Sequence, residues 1–156
     1  MASTPAAPVH TGASTGVRAA VAVLLLSGLH LGLWAAISPT GFYASFPGLG
    51  HHWVRALGTF NEHLVRDVGA FSLALTALAA FALLRPTREV LRATGIAWLT
   101  WGGLHLSYHL TKLGTLDGTD DALQVGAMVG TVALSILIVV RPGPHRTSGP
   151  DRAPQG

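Results

Sequence analysis

The stretch FNEHLVRDVGAF, Phe60 to Phe71, places Glu62, His63, Arg66 and Asp67 within six residues, and the next seventeen, to Leu84, carry no charge. Its reading decides the fold, because four ionisable groups at the mouth of so apolar a run make different sense in water and in lipid. A soluble globular domain is roughly 25% charged. This 156-residue chain is 11% charged and 49% hydrophobic, a balance that belongs to a membrane protein. Cysteine is absent, which excludes disulfides, thiolate metal sites and dithiol redox chemistry. Eight histidines stand against one lysine, and the net charge of +3 rests on scattered arginines that make no nucleic-acid patch.

Three more apolar stretches accompany residues 62–84: residues 17–37, interrupted only by Arg18, Ser27 and His30, then 90–111 and 121–140. Each has about the 20 residues that cross about 30 Å of hydrocarbon, and none alternates as a barrel strand does. The pattern predicts an all-α fold, a four-helix transmembrane bundle over 17–140. Residues 1–16 and 141–156, rich in Pro, Gly, Ser and Thr, read as disordered tails. The first stretch exceeds the roughly 7–15-residue core of a cleaved signal peptide, and Ser38-Pro39 offers no small-x-small site, so it reads as a span. Gly28, Gly32, Gly69, Gly95, Gly102, Gly103, Gly126 and Gly130 are expected where helices touch.

Arginine sets the orientation. Arg18, Arg85, Arg88, Arg92, Arg141, Arg146 and Arg152 flank one end of the spans, and only Arg55 and Lys112 the other. By the positive-inside rule both the N-terminus and the C-terminus are cytoplasmic, in a multi-pass protein of the cell inner (plasma) membrane. Depth then follows for each polar residue. His30 lies about 10 Å below the outer end of the first helix at 1.5 Å per residue. Glu62, His63, Arg66 and Asp67 fill the first two turns of the second, and His105, Tyr108 and His109 the outer half of the third. Gln124 sits one turn into the fourth. The intramembrane polar groups thus fall in one outer layer.

Within that layer Glu62 and Arg66, and His63 and Asp67, are spaced i,i+4 and share helix faces. Charges in lipid turn inward and pair, so the stretch reads as a charged plug facing the bundle interior. His105 and His109 have the same spacing, which suits chelation of one metal. With His63 and Asp67 they make an N/O set for a transition metal such as Zn, Cu or Fe. Alternatively His30 with His105 or His109 supplies the two axial ligands of a haem b, or His30, His63, His105 and His109 line a quinone site. Against these stands the reading in which Glu62, Arg66, Tyr108, Gln124 and their neighbours only hold helices together. Trp98 and Trp101 read as packing or interface residues, and His51-His52 as a solvated pair. Asp117, Asp120 and Asp121 lack the bidentate Glu of a calcium loop, and Thr119 or Asp120 is the expected N-cap. No nucleophile–base pair, phosphate loop or dinucleotide fingerprint marks a stand-alone enzyme. Four short helices without an inverted repeat or a broken helix argue against a transporter.

Residues 18–140 resemble the DoxX-like group of small bacterial membrane proteins, in the four-span layout and most specifically in NEHLVRDVGAFSLALTALAAF, Asn61 to Phe81, a block similar to one in actinobacterial members. The resemblance implies a four-helix bundle with both termini cytoplasmic. Its layout is similar to that of a subunit of thiosulfate:quinone oxidoreductase and of components of membrane oxidoreductase assemblies. The function expected is an accessory subunit in redox or stress-related membrane chemistry that binds a metal, haem or quinone. Its expected partners are the lipid bilayer and a membrane or extracytoplasmic redox protein, with a homo-oligomer left open.

Overall fold

A computed structural model describes residues 13–143. They are helical, with no strand among the described residues: α1 Thr15–Ile37, α2 Pro39–Ser45, a 3-10 turn Arg55–Leu57, α3 Glu62–Leu84, α4 Arg88–Leu110 and α5 Gly118–Val140. The expected tails at 1–16 and 141–156 lie largely outside the described residues. Helices α1, α3, α4 and α5 have 23 residues each, about 35 Å at about 1.5 Å per residue. Three of them, α1, α3 and α5, are long and apolar enough to cross a membrane, with mean hydropathies of 2.1, 1.9 and 2.3. The fourth, α4, matches them in length but carries Arg88, Glu89, Arg92 and two histidines, which lower its hydropathy. Large outward-facing side chains such as Leu26, Leu33, Phe81, Leu104 and Ile136 are apolar, the reverse of a bundle in water.

Local chemistry fixes the helix ends. A helix leaves its first N–H groups without intrahelical partners. Ser14, Asn61 and Thr87 accept from the N–H of Val17, Leu64 and Val90 at 3.3, 3.1 and 3.3 Å. The N-cap of α5 is Asp117, not Thr119 or Asp120. Its carboxylate accepts from both of those N–H groups, at 3.0 and 2.9 Å, and so starts the helix ahead of them. Pro39 opens α2, where its missing N–H costs no hydrogen bond.

The long helices run up and down. α1 lies closely along α3 and α4 along α5, and the two pairs meet more loosely, α1 against α5 and α3 against α4. The end that carries residues 13 and 143 and the 85–87 link is here called the base. The end that carries α2, the 3-10 turn and the 111–117 link is the crown. Glycine sets the α1–α3 spacing. A Cβ on Gly69 would stand 2.7 Å from the backbone N of Ala36, and one on Gly28 would collide with the Thr76 hydroxyl of α3. Gly32, Gly95 and Gly102 also sit at helix contacts as expected, whereas Gly103, Gly126 and Gly130 face open space. The base is packed solid: Val17, Val21, Leu24, Leu91 and Ile138 form one cluster with Leu75, Ala79, Ala82 and Trp98.

Candidate functional site

The crown is built differently. Between the four long helices, under a lid made by α2 and the loop that follows it, lies a cavity of about 420 Å³. Its floor is Trp98, whose ring edge faces Gly28 and whose indole N–H donates to the Leu75 carbonyl at 3.3 Å. Its lid is Phe42, Phe46, Trp53, Val54 and Leu57. The PTGFYASFPG stretch, residues 39–48, lies between the expected first and second spans. Phe42 and Phe46, at i,i+4, meet at 4.6 Å with their rings tilted and turn it into a roof. The lid is pinned to the start of α5 by the contact between His51 Nδ1 and the Asp120 carboxylate. His51 is therefore engaged rather than solvated, and exposed His52 points its Nδ1 at the Ala44 carbonyl, 2.7 Å away.

One face of α4 supplies the wall. Trp98, Trp101, His105 and His109 succeed one another at i+3 and i+4 steps, so their rings form a ladder. Trp101 stands edge-on to Trp98 at 6.0 Å and stacks on His105 at 4.9 Å, and His105 meets His109 at 4.6 Å. His109 is buried, and its Nδ1 lies 2.8 Å from Oε1 of buried Gln124 on α5. An amide oxygen only accepts, so Nδ1 carries the proton and Nε2 keeps its lone pair. Gln124 keeps its amide N–H groups as donors. The lid holds a polar group of its own, at Trp53, outside the reach of the cavity. Its indole N–H is buried with no hydrogen-bond partner among the described residues, and buried donors are ordinarily satisfied.

His30, His105, His109, Tyr108 and Gln124 thus line one cavity. His30 packs its ring against Trp34 and Phe46 at 5.5 and 5.9 Å. The other candidates lie elsewhere. His63 and Asp67 pair with each other at 3.3 Å on the outside of α3, their side chains 88% and 60% exposed. Arg66 binds Glu62 at 2.9 Å and donates to the Ala36 carbonyl at 2.7 Å, satisfying an orphan acceptor at the end of α1. The charged stretch is therefore not an inward plug. The buried stripe of α3 is Val65, Gly69, Ser72 and Thr76. At about 100° per residue, His63 and Asp67 fall about 160° and 200° around from Val65. For the same reason His63 and Asp67 do not join His105 and His109, and no three His, Asp or Glu side chains converge as a metal site among the described residues. Comparison with protein-family models, curated proteins and solved structures returns no match to the chain.

Proposed function

We propose that the chain is a multi-pass protein of the plasma membrane in which α4 is the fourth span, the base faces the cytoplasm, and the crown cavity binds a quinone-class ring. The observation that carries this reading is the cavity itself. Its volume of about 420 Å³ lies within the roughly 300–1,000 Å³ of sites that bury small ligands, which pair apolar walls with a few convergent polar groups. Bundle interiors otherwise close-pack with few voids larger than a water. A flat conjugated ring suits walls of Trp98, Trp101 and Phe46. A quinone oxygen accepts hydrogen bonds when oxidised and also donates one when reduced. The His109 lone pair and the amide donors of Gln124 answer both states. Such a subunit serves a membrane or extracytoplasmic redox partner, in keeping with the DoxX-like resemblance.

One observation favours a second reading. His109 to Gln124 is a hydrogen bond between α4 and α5, and by itself it is helix glue. A titration with water-soluble benzoquinone in nanodiscs separates the two. Three of the four tryptophans line the cavity, so a bound ring quenches their fluorescence saturably. The expected result is saturation in the wild type and its loss in the folded double variant His109→Ala/Gln124→Leu. Linear quenching, equal in both proteins, leaves only the glue.

A further inference from the structure

We infer that the groove between α3 and α4 is a side entrance from the bilayer, so that the ligand is a membrane amphiphile with its ring in the cavity and its hydrocarbon chain in the groove. This rests on the cavity reading above and adds the ligand's class and route. Only three residues, 85–87, join α3 to α4, yet the two helices pack together far more loosely than α1 with α3 or α4 with α5. The gap they leave is a groove along the outside of the bundle, lined by Phe71, Ala97, Thr100 and Leu104. Leu104 is 70% exposed and Phe71 50% exposed, so on a membrane-spanning bundle the groove faces lipid chains.

The groove and the cavity share Leu75, Trp101, His105 and Tyr108. These side chains are the partition between the two spaces. Polarity is graded along the groove in the sense an amphiphile requires. At the chain end the Thr100 hydroxyl is spent on the Ile96 carbonyl of its own helix, at 2.9 Å. At the cavity end stand Tyr108 and His105, with His109 and Gln124 beyond them. A way in from the aqueous side passes the lid, which three aromatic rings fill and the His51–Asp120 pair pins. From the side, the outermost member of the partition is Tyr108, which is 48% exposed, and exposed side chains change rotamer within nanoseconds. A hydrocarbon chain left in the groove stays among neighbours as apolar as the lipid it came from, so the groove has no need to enclose it.

The test is photo-crosslinking in nanodiscs with a benzoquinone that carries an alkyl diazirine tail, followed by peptide mass spectrometry. The expected adducts fall on Phe71 to Leu75 of α3 and Ala97 to Leu104 of α4, and excess tail-free benzoquinone suppresses them. Thr100→Phe fills the groove without touching the cavity or adding an indole to the fluorescence readout. It should cut these adducts at least tenfold and leave quenching by tail-free benzoquinone unchanged. Adducts on the lid, residues 42–57, would overturn the side entrance, as would uncompeted labelling spread over every lipid-facing helix. Failure of even tail-free benzoquinone to bind would instead remove the cavity reading, and the entrance with it.

Discussion

The base and the crown are made from the same four helices, yet one is solid and the other hollow. At the base Val17, Val21, Leu24, Leu91 and Ile138 are at most 1% exposed and interdigitate around the small residues Ala20, Ala79 and Ala82. At the crown the same helices present rings and polar groups to a space of about 420 Å³, and an added short helix roofs it. The difference teaches where each half spends its sequence: aliphatic side chains of matched size close a core, whereas flat rings held apart by their own contacts frame a site.

The largest effect that would break the contrast lies in paired leucine truncations on α1. Leu24→Ala at the base removes a fully buried side chain and should cost about 3–5 kcal/mol, whereas Leu31→Ala on the cavity wall should cost at most about 1.5 kcal/mol, because Leu31 is only partly buried and already borders empty space. Reversible unfolding in micelles measures both, and equal losses would erase the distinction. Next come two glycines. Gly69→Ala drives a Cβ to 2.7 Å from the Ala36 backbone and should cost about 1–3 kcal/mol as α1 and α3 separate. At Gly102, on the cavity wall, a Cβ meets Thr131 at an ordinary 3.4 Å, so Gly102→Ala should be neutral or gain about 0.5–1 kcal/mol of helix propensity.

The smallest stability effects are at the polar groups. Gln124→Leu should cost about 0.6–2 kcal/mol, the worth of an interhelical hydrogen bond. The exposed His63→Ala should stay within about 0.5 kcal/mol. Trp53→Phe removes a buried donor that has no protein partner and keeps a ring in the lid, so it should leave thermal stability unchanged. A stability loss in Trp53→Phe as large as that in Gln124→Leu would make the lid a structural element and nothing more.

Much of the frame was legible in the sequence. Residues 62–84 were read with both ends as observed, since the ionisable cluster at Glu62 to Asp67 opens, and Arg85 closes, a run of seventeen uncharged residues. The ladder on α4 was half legible. The i,i+4 spacing of His105 and His109 identified a face, and Trp98 and Trp101 continue the same stripe, though they read as packing. Helical phase was the missing argument for the charged cluster. The small-residue stripe from Val65 to Thr76 already points α3 toward α1 and swings His63 and Asp67 away. The roof was missed because seven residues between prolines and glycines look like a turn, and Pro39 after Ser38 with Phe42 and Phe46 one turn apart was its only signal. The cavity had no linear signal. Its volume comes from the spacing of four helices, which no single stretch encodes.

The central claim is that the crown's hollow is a binding site, and ligand-linked stability tests it most directly. A ligand that binds only the folded state at about 100 times its Kd stabilises it by about 2.7 kcal/mol. Unfolding of the nanodisc-embedded wild type should therefore shift by that amount with saturating benzoquinone, and the His109→Ala/Gln124→Leu protein should show no shift. No stabilisation of the wild type, or an equal shift in both proteins, would contradict the account.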